Sequence, residues 1–401
     1  MKKLKPKAIL KQHFTEFFTD MPERPALCPH FAECGGCEYQ NYPYASQIAA
    51  KKAVWERLVS AAGLDLPPAE IVESPKEFGY RQRMDYVFAF GAAGLRKRGS
   101  HRRIVDLQEC PLLGERGFAA FRRAKELALA AGLTYHDYLR HDGFLRYFVV
   151  RQTRTGGLML SLVTYSRGFA ENIEQIAETL LREKLATCVY WLVNDTLSDL
   201  SFGTVERFWG EEQIREMYLG KTFLIGANTF AQANPDVAEQ AYQRIVNANK
   251  GEKNVCDAYS GTGAIGELLA PHCEKITAVE NVPDNVALAQ IHAQINHATN
   301  IESVLADAQE FLINTARETA SAGRFSAIVV NPPRSGIGEK AANALVTIGA
   351  PKLTYMSCNP QTLLQDLQIL LPAYAPQSVT LFDMFPQTHH WETLCIMRRR
   401  D

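Results

Sequence analysis

The sequence predicts an α/β protein. A doubly wound parallel sheet fills the C-terminal half, and a central α+β region precedes it. Three observations carry that prediction. From about residue 220, short apolar or β-branched runs alternate with helical stretches. A Gly-rich turn, "SGTGAIG", joins the first of these strands to the first of these helices. Polar residues close the runs at Asp257, Glu280, Asp307, Asn331 and Cys358, and in open α/β sheets ligands gather beyond the carboxyl ends of the strands.

Taken in order, residues 1–27 form a lead with five lysines in its first eleven positions, expected to be a solvated basic tail containing one short amphipathic helix. Residues 28–113 mix cysteine, glycine and aromatics with strand-like runs such as "MDYVFAF". Residues 114–218 set a helix-like stretch, "FAAFRRAKELALAAG", before three strand-like pieces, "RYFVVRQT", "LMLSLVTY" and "TCVYWLVN". That is the pattern of an α+β unit. Residues 219–401 hold the doubly wound part: strands in "NVCDA", "KITAVE", "SVLADA", "FSAIVV" and "KLTYMS", with helices in "AIGELLA", "VALAQIHAQIN" and "QTLLQDLQILL".

A chain of 401 residues has room for two or three domains. No apolar run approaches the roughly 18 residues that a spanning helix needs, so no membrane partner is expected. The basic start lacks an apolar core and a small-residue cleavage site, which makes the cytoplasm the expected location. The formal net charge of −1 gives no global basic field, so a nucleic acid would have to be held by a local patch. Nine cysteines without a secretory signal argue against a disulfide framework and leave metal binding and thiolate chemistry open.

Gly261, Gly263 and Gly266 spell G-x-G-x-x-G, and Glu280 closes the next strand 19 residues after Gly261. The pattern suits a dinucleotide, and it also suits mere tight packing of strand on helix. Two carboxylates favour S-adenosylmethionine over NAD. Asp257, just before the loop, would disfavour a pyrophosphate and suit a cationic amino-acid end. Asp307 is placed to accept from an adenine amino group.

"NPPRSG", residues 331–336, follows the fourth strand. The Asn331 amide offers both donor and acceptor to a base edge, the prolines stiffen the loop, and Arg334 suits a phosphate. Cys358, in "YMSCNP", stands at the neighbouring strand end. A methyltransferase acting on carbon 5 of uracil needs such a thiol, because that carbon is too weak a nucleophile. Thiolate addition at carbon 6 turns the ring into an enolate, one hard step becoming two easier ones. A separate base must then remove the carbon-5 proton. Glu392, in "FDMFPQTHHWETL", is the candidate, as a half-buried carboxylate of raised proton affinity. His389 and His390 are the alternatives.

Cys28, Cys34 and Cys37 form C-x5-C-x2-C, and Cys110 lies 73 residues beyond Cys37. Four thiolates can close a zinc site or hold an iron-sulfur cluster, and spacing alone leaves both open. Cys188, Cys256, Cys273 and Cys395 lack such companions and are expected in the core. Between Tyr80 and Arg103 stand Arg81, Arg83, Arg96, Lys97, Arg98, Arg102 and Arg103 against one acid, Asp85, with Tyr80, Tyr86, Phe88 and Phe90 interleaved. Cations with aromatics are the composition of a surface for looped RNA; a solvated strand face is the plainer alternative.

Together the motifs resemble the RNA 5-methyluridine methyltransferases of the TrmA/RumA/RumB group. The resemblance spans nearly the whole chain from Cys28 and rests on CGGC with the distant Cys110, "GYRQR", "GLRKRGSHRRIVDLQEC", "NTFAQAN", "DAYSGTG", "NPPRSG", "SCNPQTL" and "FPQTHHWE". It implies a Rossmann-like S-adenosylmethionine-dependent methyltransferase domain and a small subdomain with a [4Fe-4S] cluster on Cys28, Cys34, Cys37 and Cys110. It implies cofactor contacts from Gln232, Tyr259, Glu280 and Asn331, a nucleophile at Cys358, a proton acceptor at Glu392 and a pocket aromatic at Phe230. "NPPRSGIG" looks like the RumB branch, the tRNA-modifying branch lacks the cysteine set, and 27 residues before Cys28 are too few for the N-terminal TRAM β-barrel of RumA-type members. The expected substrate is therefore 23S ribosomal RNA, modified by a monomer. Ala231, where the family usually has a second aromatic, puts that neighbour's contact in doubt.

Overall fold

The computed structural model describes residues 6–318 and 323–401. The first half runs α1 (Pro6–Phe18), α2 (Tyr44–Ala62), β1 (Glu70–Val72), β2 (Arg83–Ala89), β3 (Ala92–Arg96), β4 (Ile104–Asp106), α3 (Glu115–Ala130), β5 (Leu145–Gln152), β6 (Leu158–Thr164), α4 (Ala170–Arg182), β7 (Cys188–Val193), β8 (Thr204–Gly210), β9 (Ile214–Tyr218) and β10 (Lys221–Ile225). The second runs α5 (Pro235–Asn249), β11 (Asn254–Ala258), α6 (Ala264–Leu269), β12 (Lys275–Glu280), α7 (Pro283–Ile295), β13 (Ile301–Leu305), α8 (Ala308–Arg317), β14 (Ala327–Val330), α9 (Gly338–Ile348), β15 (Lys352–Ser357), α10 (Pro360–Leu370), β16 (Tyr374–Phe382) and β17 (Glu392–Arg399).

Two large sheets organise the chain. The central one has the order β4-β3-β2-β5-β6-β7-β8. It is antiparallel except where α4 carries the chain over from β6 to a parallel β7. Tyr86, Phe88 and Phe148 of its inner face pack with Phe121 of α3 and Leu180 of α4. The second sheet has the order β1-β16-β17-β15-β14-β11-β12-β13. Strands β11 to β15 are parallel, as the strand-helix alternation requires, and β17 inserts antiparallel between β15 and β16.

The structure divides the chain differently from the expected boundaries. The short amphipathic helix expected in the lead is α1, but it is docked where a solvated segment is expected: Leu10, Phe14 and Phe18 form an apolar stripe at helical spacing and are buried. Phe14 stacks on Tyr39 at 5.4 Å between ring centroids and lies 6.2 Å from the Trp391 ring. The expected 28–113 unit also splits. Its helix α2 packs in the same apolar cluster as α9 and α10, and β1 pairs with β16 as the edge of the second sheet. Strands β2 to β4 instead belong to the central sheet with β5 to β8. The hairpin β9–β10 spans the expected break at 218. These attachments join residues far apart in sequence, which local pattern does not encode.

Candidate active site

The strand-end residues converge on one cavity of about 1420 Å³. Its lining includes Gln232, Tyr259, Gly261, Glu280, Asp307, Asn331, Arg334, Cys358 and Glu392, and also Phe230, Arg81, Arg83, Arg96, Lys97 and Arg98. Of the residues singled out for catalysis, cofactor and substrate, all but Asp257 line this cavity. Asp257 does not line the cavity. It is fully buried, and its Oδ2 accepts the Gly266 N–H at 3.0 Å. Burial pushes its carboxyl up to about 7 against that hydrogen bond. Asp257 shapes the glycine turn from beneath, so the expected direct contact with a cationic ligand is corrected.

The turn itself is held from three sides. Tyr259 takes a left-handed φ of 62°, rare for a non-glycine residue and typical of functional turns. The Gly261 N–H donates to Glu280 Oε2 at 3.0 Å, while Glu280 Oε1 accepts from Val282 N at 3.0 Å and Asn285 Nδ2 at 3.2 Å. His292 bridges turn and hairpin: its Nδ1 pairs with Thr262 O at 2.9 Å and its Nε2 accepts from Leu224 N at 2.9 Å. Asp307 caps α8, its Oδ1 accepting from Glu310 N at 2.9 Å. The Asn-Pro-Pro loop is tied down by Asp366, which accepts from the backbone N–H groups of Ile337 and Gly338 and from the Tyr355 hydroxyl. Asn359 Nδ2 donates to Arg334 O at 2.9 Å.

Register brings the thiol and the carboxylate together. In the antiparallel pairing of β15 with β17, Ser357 stands opposite Thr393. Cys358 follows directly on that last pair and Glu392 begins β17, so the two lie at neighbouring strand ends, near enough for the carboxylate to act on the thiol. Both line the cavity beside Arg334. Burial pushes the Cys358 thiol up to about 11, Glu392 adds to the rise, and Arg334 opposes it. Burial pushes Glu392 up to about 8, again against Arg334. Glu392 is buried where the sequence suggested half-burial. The alternative bases fare differently. His389 is paired through Nδ1 with Glu38, and burial with neighbouring His389 pushes His390 down to about 3, far below a useful base at neutral pH.

The loop leading to Glu392 is anchored by residues that the sequence did not single out. Lys51 and Asp383 form an ion pair with both side chains 0% exposed. The same ammonium donates to Phe385 O at 3.1 Å and His390 O at 2.8 Å, and the Tyr44 hydroxyl donates to the other Asp383 oxygen at 2.7 Å. Gln387, with a φ of 69°, exchanges hydrogen bonds with Gln47. Its carbonyl accepts from the backbone N–H groups of Glu38 at 2.7 Å and Tyr39 at 3.2 Å.

Cys28, Cys34, Cys37 and Cys110 line a second, small cavity with Phe31, Leu95, Leu107 and Leu112. Among the described residues no group of three or more His, Cys, Asp or Glu is gathered tightly enough for a single metal ion. Polar donors approach these sulfurs, but burial outweighs them and raises all four thiols. The Gly36 N–H donates to Cys34 Sγ at 3.4 Å. Gln40 Nε2 and the Tyr86 hydroxyl are buried without a hydrogen-bond partner, and they face Cys37 and Cys110. Burial pushes Cys34 up to about 11 and Cys37 up to about 12. Of the remaining cysteines, Cys188, Cys256 and Cys395 are core as expected, while Cys273 is only partly buried.

The expected RNA surface is rebuilt by the fold. Tyr86 and Phe88, alternate residues of β2, are buried in the central core together with Tyr80, while Phe90, in the turn after β2, is exposed. The cations face one acid in their own segment but meet others from elsewhere. Arg83 is bidentate to Asp85, Arg96 pairs with Asp199, and Lys97 pairs with Glu33. Arg98 donates to Cys37 O at 2.6 Å. Three of the seven cations are therefore paired with acids, while Arg81, Arg98, Arg102 and Arg103 have no carboxylate partner among the salt bridges of the described residues.

Comparison with known proteins fits this geometry. Residues 220–400 match the family model described as tRNA (uracil-5-)-methyltransferase. An uncharacterised RNA methyltransferase from Caldanaerobacter subterraneus is 32% identical over 93% of this chain and 84% of its own length. The tRNA (uracil(54)-C(5))-methyltransferase of Pyrococcus furiosus is 32% identical over 93% of this chain and 85% of its own. The crystal structure of the Pyrococcus abyssi tRNA (uracil-54, C5)-methyltransferase with S-adenosyl-L-homocysteine superposes with a TM-score of 0.76 at 29% identity, covering 91% of this chain and 86% of that one. No helix among the described residues is long and apolar enough to cross a membrane. The chain belongs to the RNA (uracil-C5)-methyltransferase family and is an S-adenosylmethionine-dependent enzyme of that class.

Proposed function

We propose that this enzyme methylates carbon 5 of one uridine in a folded tRNA, through a covalent Cys358 adduct resolved by Glu392. The observation that supports the mechanism is that Cys358, just past the end of β15, and Glu392, the first residue of β17, line one cavity beside Arg334. S-adenosylmethionine supplies the electrophilic methyl group. Gln232, Tyr259, Gly261, Glu280 and Asp307 would hold it over the glycine turn. Asn331 would read the edge of a flipped uracil, Phe230 would stack on it and Arg334 would meet its phosphate.

The Cys358 thiolate forms a bond to carbon 6 and makes carbon 5 nucleophilic. The new carbon–methyl bond would form at carbon 5 as the sulfonium–methyl bond breaks and S-adenosylhomocysteine leaves. The Glu392 carboxylate takes the carbon-5 proton, the carbon 6–sulfur bond breaks, and the 5,6 double bond returns. Arg334, beside both groups, favours the anionic form of each in turn.

The choice of RNA departs from the sequence-based expectation. Motif details favoured 23S ribosomal RNA, whereas the relatives with a named substrate act on uridine 54 of tRNA. The four-cysteine cavity keeps ribosomal RNA as the second reading, since the sequence resemblance links that set to the ribosomal branch. In either case Cys28, Cys34, Cys37 and Cys110 would hold a [4Fe-4S] cluster, whose sulfur charge the Gly36, Gln40 and Tyr86 donors suit better than a lone ion. The test is mass-spectrometric mapping of 5-methyluridine after incubation with tRNA transcripts and 23S fragments. Product on tRNA alone is expected; product on 23S alone refutes the substrate assignment. Cys358→Ala should abolish product, and Glu392→Gln should trap a denaturation-resistant protein–RNA adduct. Normal turnover by either variant refutes the mechanism.

A further inference from the structure

The cavity is larger than one cofactor and one base require, since small-ligand sites run to roughly 300–1,000 Å³. On the central-sheet side its rim carries Phe202, which is 42% exposed. Phe202 sits on the loop between β7 and β8, and that loop is held with unusual care. Arg146, itself fully buried, donates to the carbonyls of Asn194, Thr196 and Ser198. Asn194 Nδ2 donates to Leu200 O at 2.9 Å. Asp199 pairs with Arg96 and the Tyr147 hydroxyl. The Ser201 hydroxyl donates to Asp85 at 2.5 Å and accepts from Arg83 at 3.2 Å.

The Arg83 guanidinium then lies over the Phe202 ring, 4.7 Å from its centroid. Asn228 Nδ2 donates to Gly203 O at 2.9 Å, which ties this loop to the one bearing Phe230, 69% exposed on the same cavity. Two aromatics thus stand exposed on fixed loops at one rim. Two exposed aromatics on the rim of one cavity are apolar surface of the kind that ligand-binding grooves carry. Bases unstacked from an RNA fold are such ligands, because every base offers a flat π-face.

We propose that Phe202 is a stacking platform for an unpaired nucleotide next to the target uridine, and that Arg83 braces the platform instead of binding phosphate. The proposal deepens the RNA-methylating reading above and rests on it. It explains why Arg83 is already bidentate to Asp85 and yet lies at the cavity.

The test measures binding and chemistry separately. Fluorescence anisotropy gives the Kd of a tRNA transcript for the wild type, Phe202→Ala, Phe202→Trp and Val205→Ser. Val205 is exposed on β8 but is absent from the cavity lining, so it controls for general loss of apolar surface. Phe202→Ala should weaken RNA binding about 5- to 150-fold, the range for losing one base stack, with S-adenosylmethionine binding unchanged. Phe202→Trp should restore it, and Val205→Ser should leave it unchanged. An abasic residue at the stacked neighbour should weaken wild-type binding by the same factor and leave Phe202→Ala unaffected. Equal RNA binding by the wild type and Phe202→Ala, or equal losses from Phe202→Ala and Val205→Ser, overturns the platform. If the wild type makes no 5-methyluridine while the binding difference persists, the proposed reaction falls and the platform stands.

Discussion

Lys51→Met should separate the stability of the fold from the placement of its proposed base. Lys51 gives its three N–H groups to an Asp383 oxygen, Phe385 O and His390 O. Burial lowers its proton affinity and Asp383 raises it again, so the pair survives only as a pair. Methionine fills similar volume but leaves the Asp383 carboxylate buried with the Tyr44 hydroxyl as its side-chain donor. Breaking one side of such a pair costs about 3–5 kcal/mol. That is a large share of a total stability of roughly 5–15 kcal/mol. Urea unfolding monitored by tryptophan fluorescence should therefore show a clear fall in midpoint at unchanged slope. Adding Asp383→Leu removes the orphaned charge, and apolar replacement of a buried pair is often neutral or better. The double variant should regain most of the midpoint. It should not regain turnover, because the carbonyls of Phe385 and His390 still lack their common donor and the segment entering β17 is no longer fixed. A Lys51→Met loss below about 1 kcal/mol, or a double variant with wild-type turnover, would refute the reasoning.

Two more predictions concern stability. The Glu392 carboxyl is raised from the ordinary carboxylate range to about 8, so the stability it contributes is full below its unfolded value and is lost as pH rises through about 8. Glu392→Gln carries no such loss: denaturant midpoints of the variant should gain on the wild type between pH 5 and pH 9, and a constant difference contradicts the buried-carboxyl reading. Over the same interval, single-turnover resolution of the wild-type adduct should quicken as the base ionises. Phe14→Ala removes a fully buried ring from the junction of α1, Tyr39 and Trp391. It should destabilise by about 3–5 kcal/mol in chemical unfolding, and a near-neutral result would mean that α1 is not docked.

What the sequence made legible was local. The strands before the glycine turn and before the Asn-Pro-Pro loop follow from apolar runs ended by turn residues. Cys358 and Glu392 were assigned from motif and position, and the structure puts both on one cavity. What it hid was long-range. Lys51 is separated from Asp383 by 332 positions, and Arg96 from Asp199 by 103. Two cations of the basic patch, Arg96 and Lys97, meet acids that come from other segments, which local pattern could not show. Asp257 was misread for another reason: a strand-end carboxylate faces a ligand or the loop backbone according to one side-chain orientation, which spacing does not fix.

These long-range ties connect the site to segments between Lys11 and Tyr80. The doubly wound sheet supplies the thiol, the glycine turn and the Asn-Pro-Pro loop from its own strand ends. It does not by itself fix the 383–391 segment that delivers Glu392. That segment is held by α2 through Lys51 and Gln47, by the hydroxyl of Tyr80 on Pro386 O at 3.0 Å, and by the backbone of Glu38 and Tyr39 immediately after Cys37. Glu38 adds its pairs with His389 and with Lys11 of α1. The cysteine-bearing segment, α1 and the carboxylate loop therefore form one mechanical unit. A base buried deeply enough to bind a proton at neutral pH has to be placed to within a fraction of an ångström to reach carbon 5. If Glu392 is the base proposed above, the N-terminal segments supply that placement, and loosening their packing onto the second sheet should slow adduct resolution before it unfolds the chain.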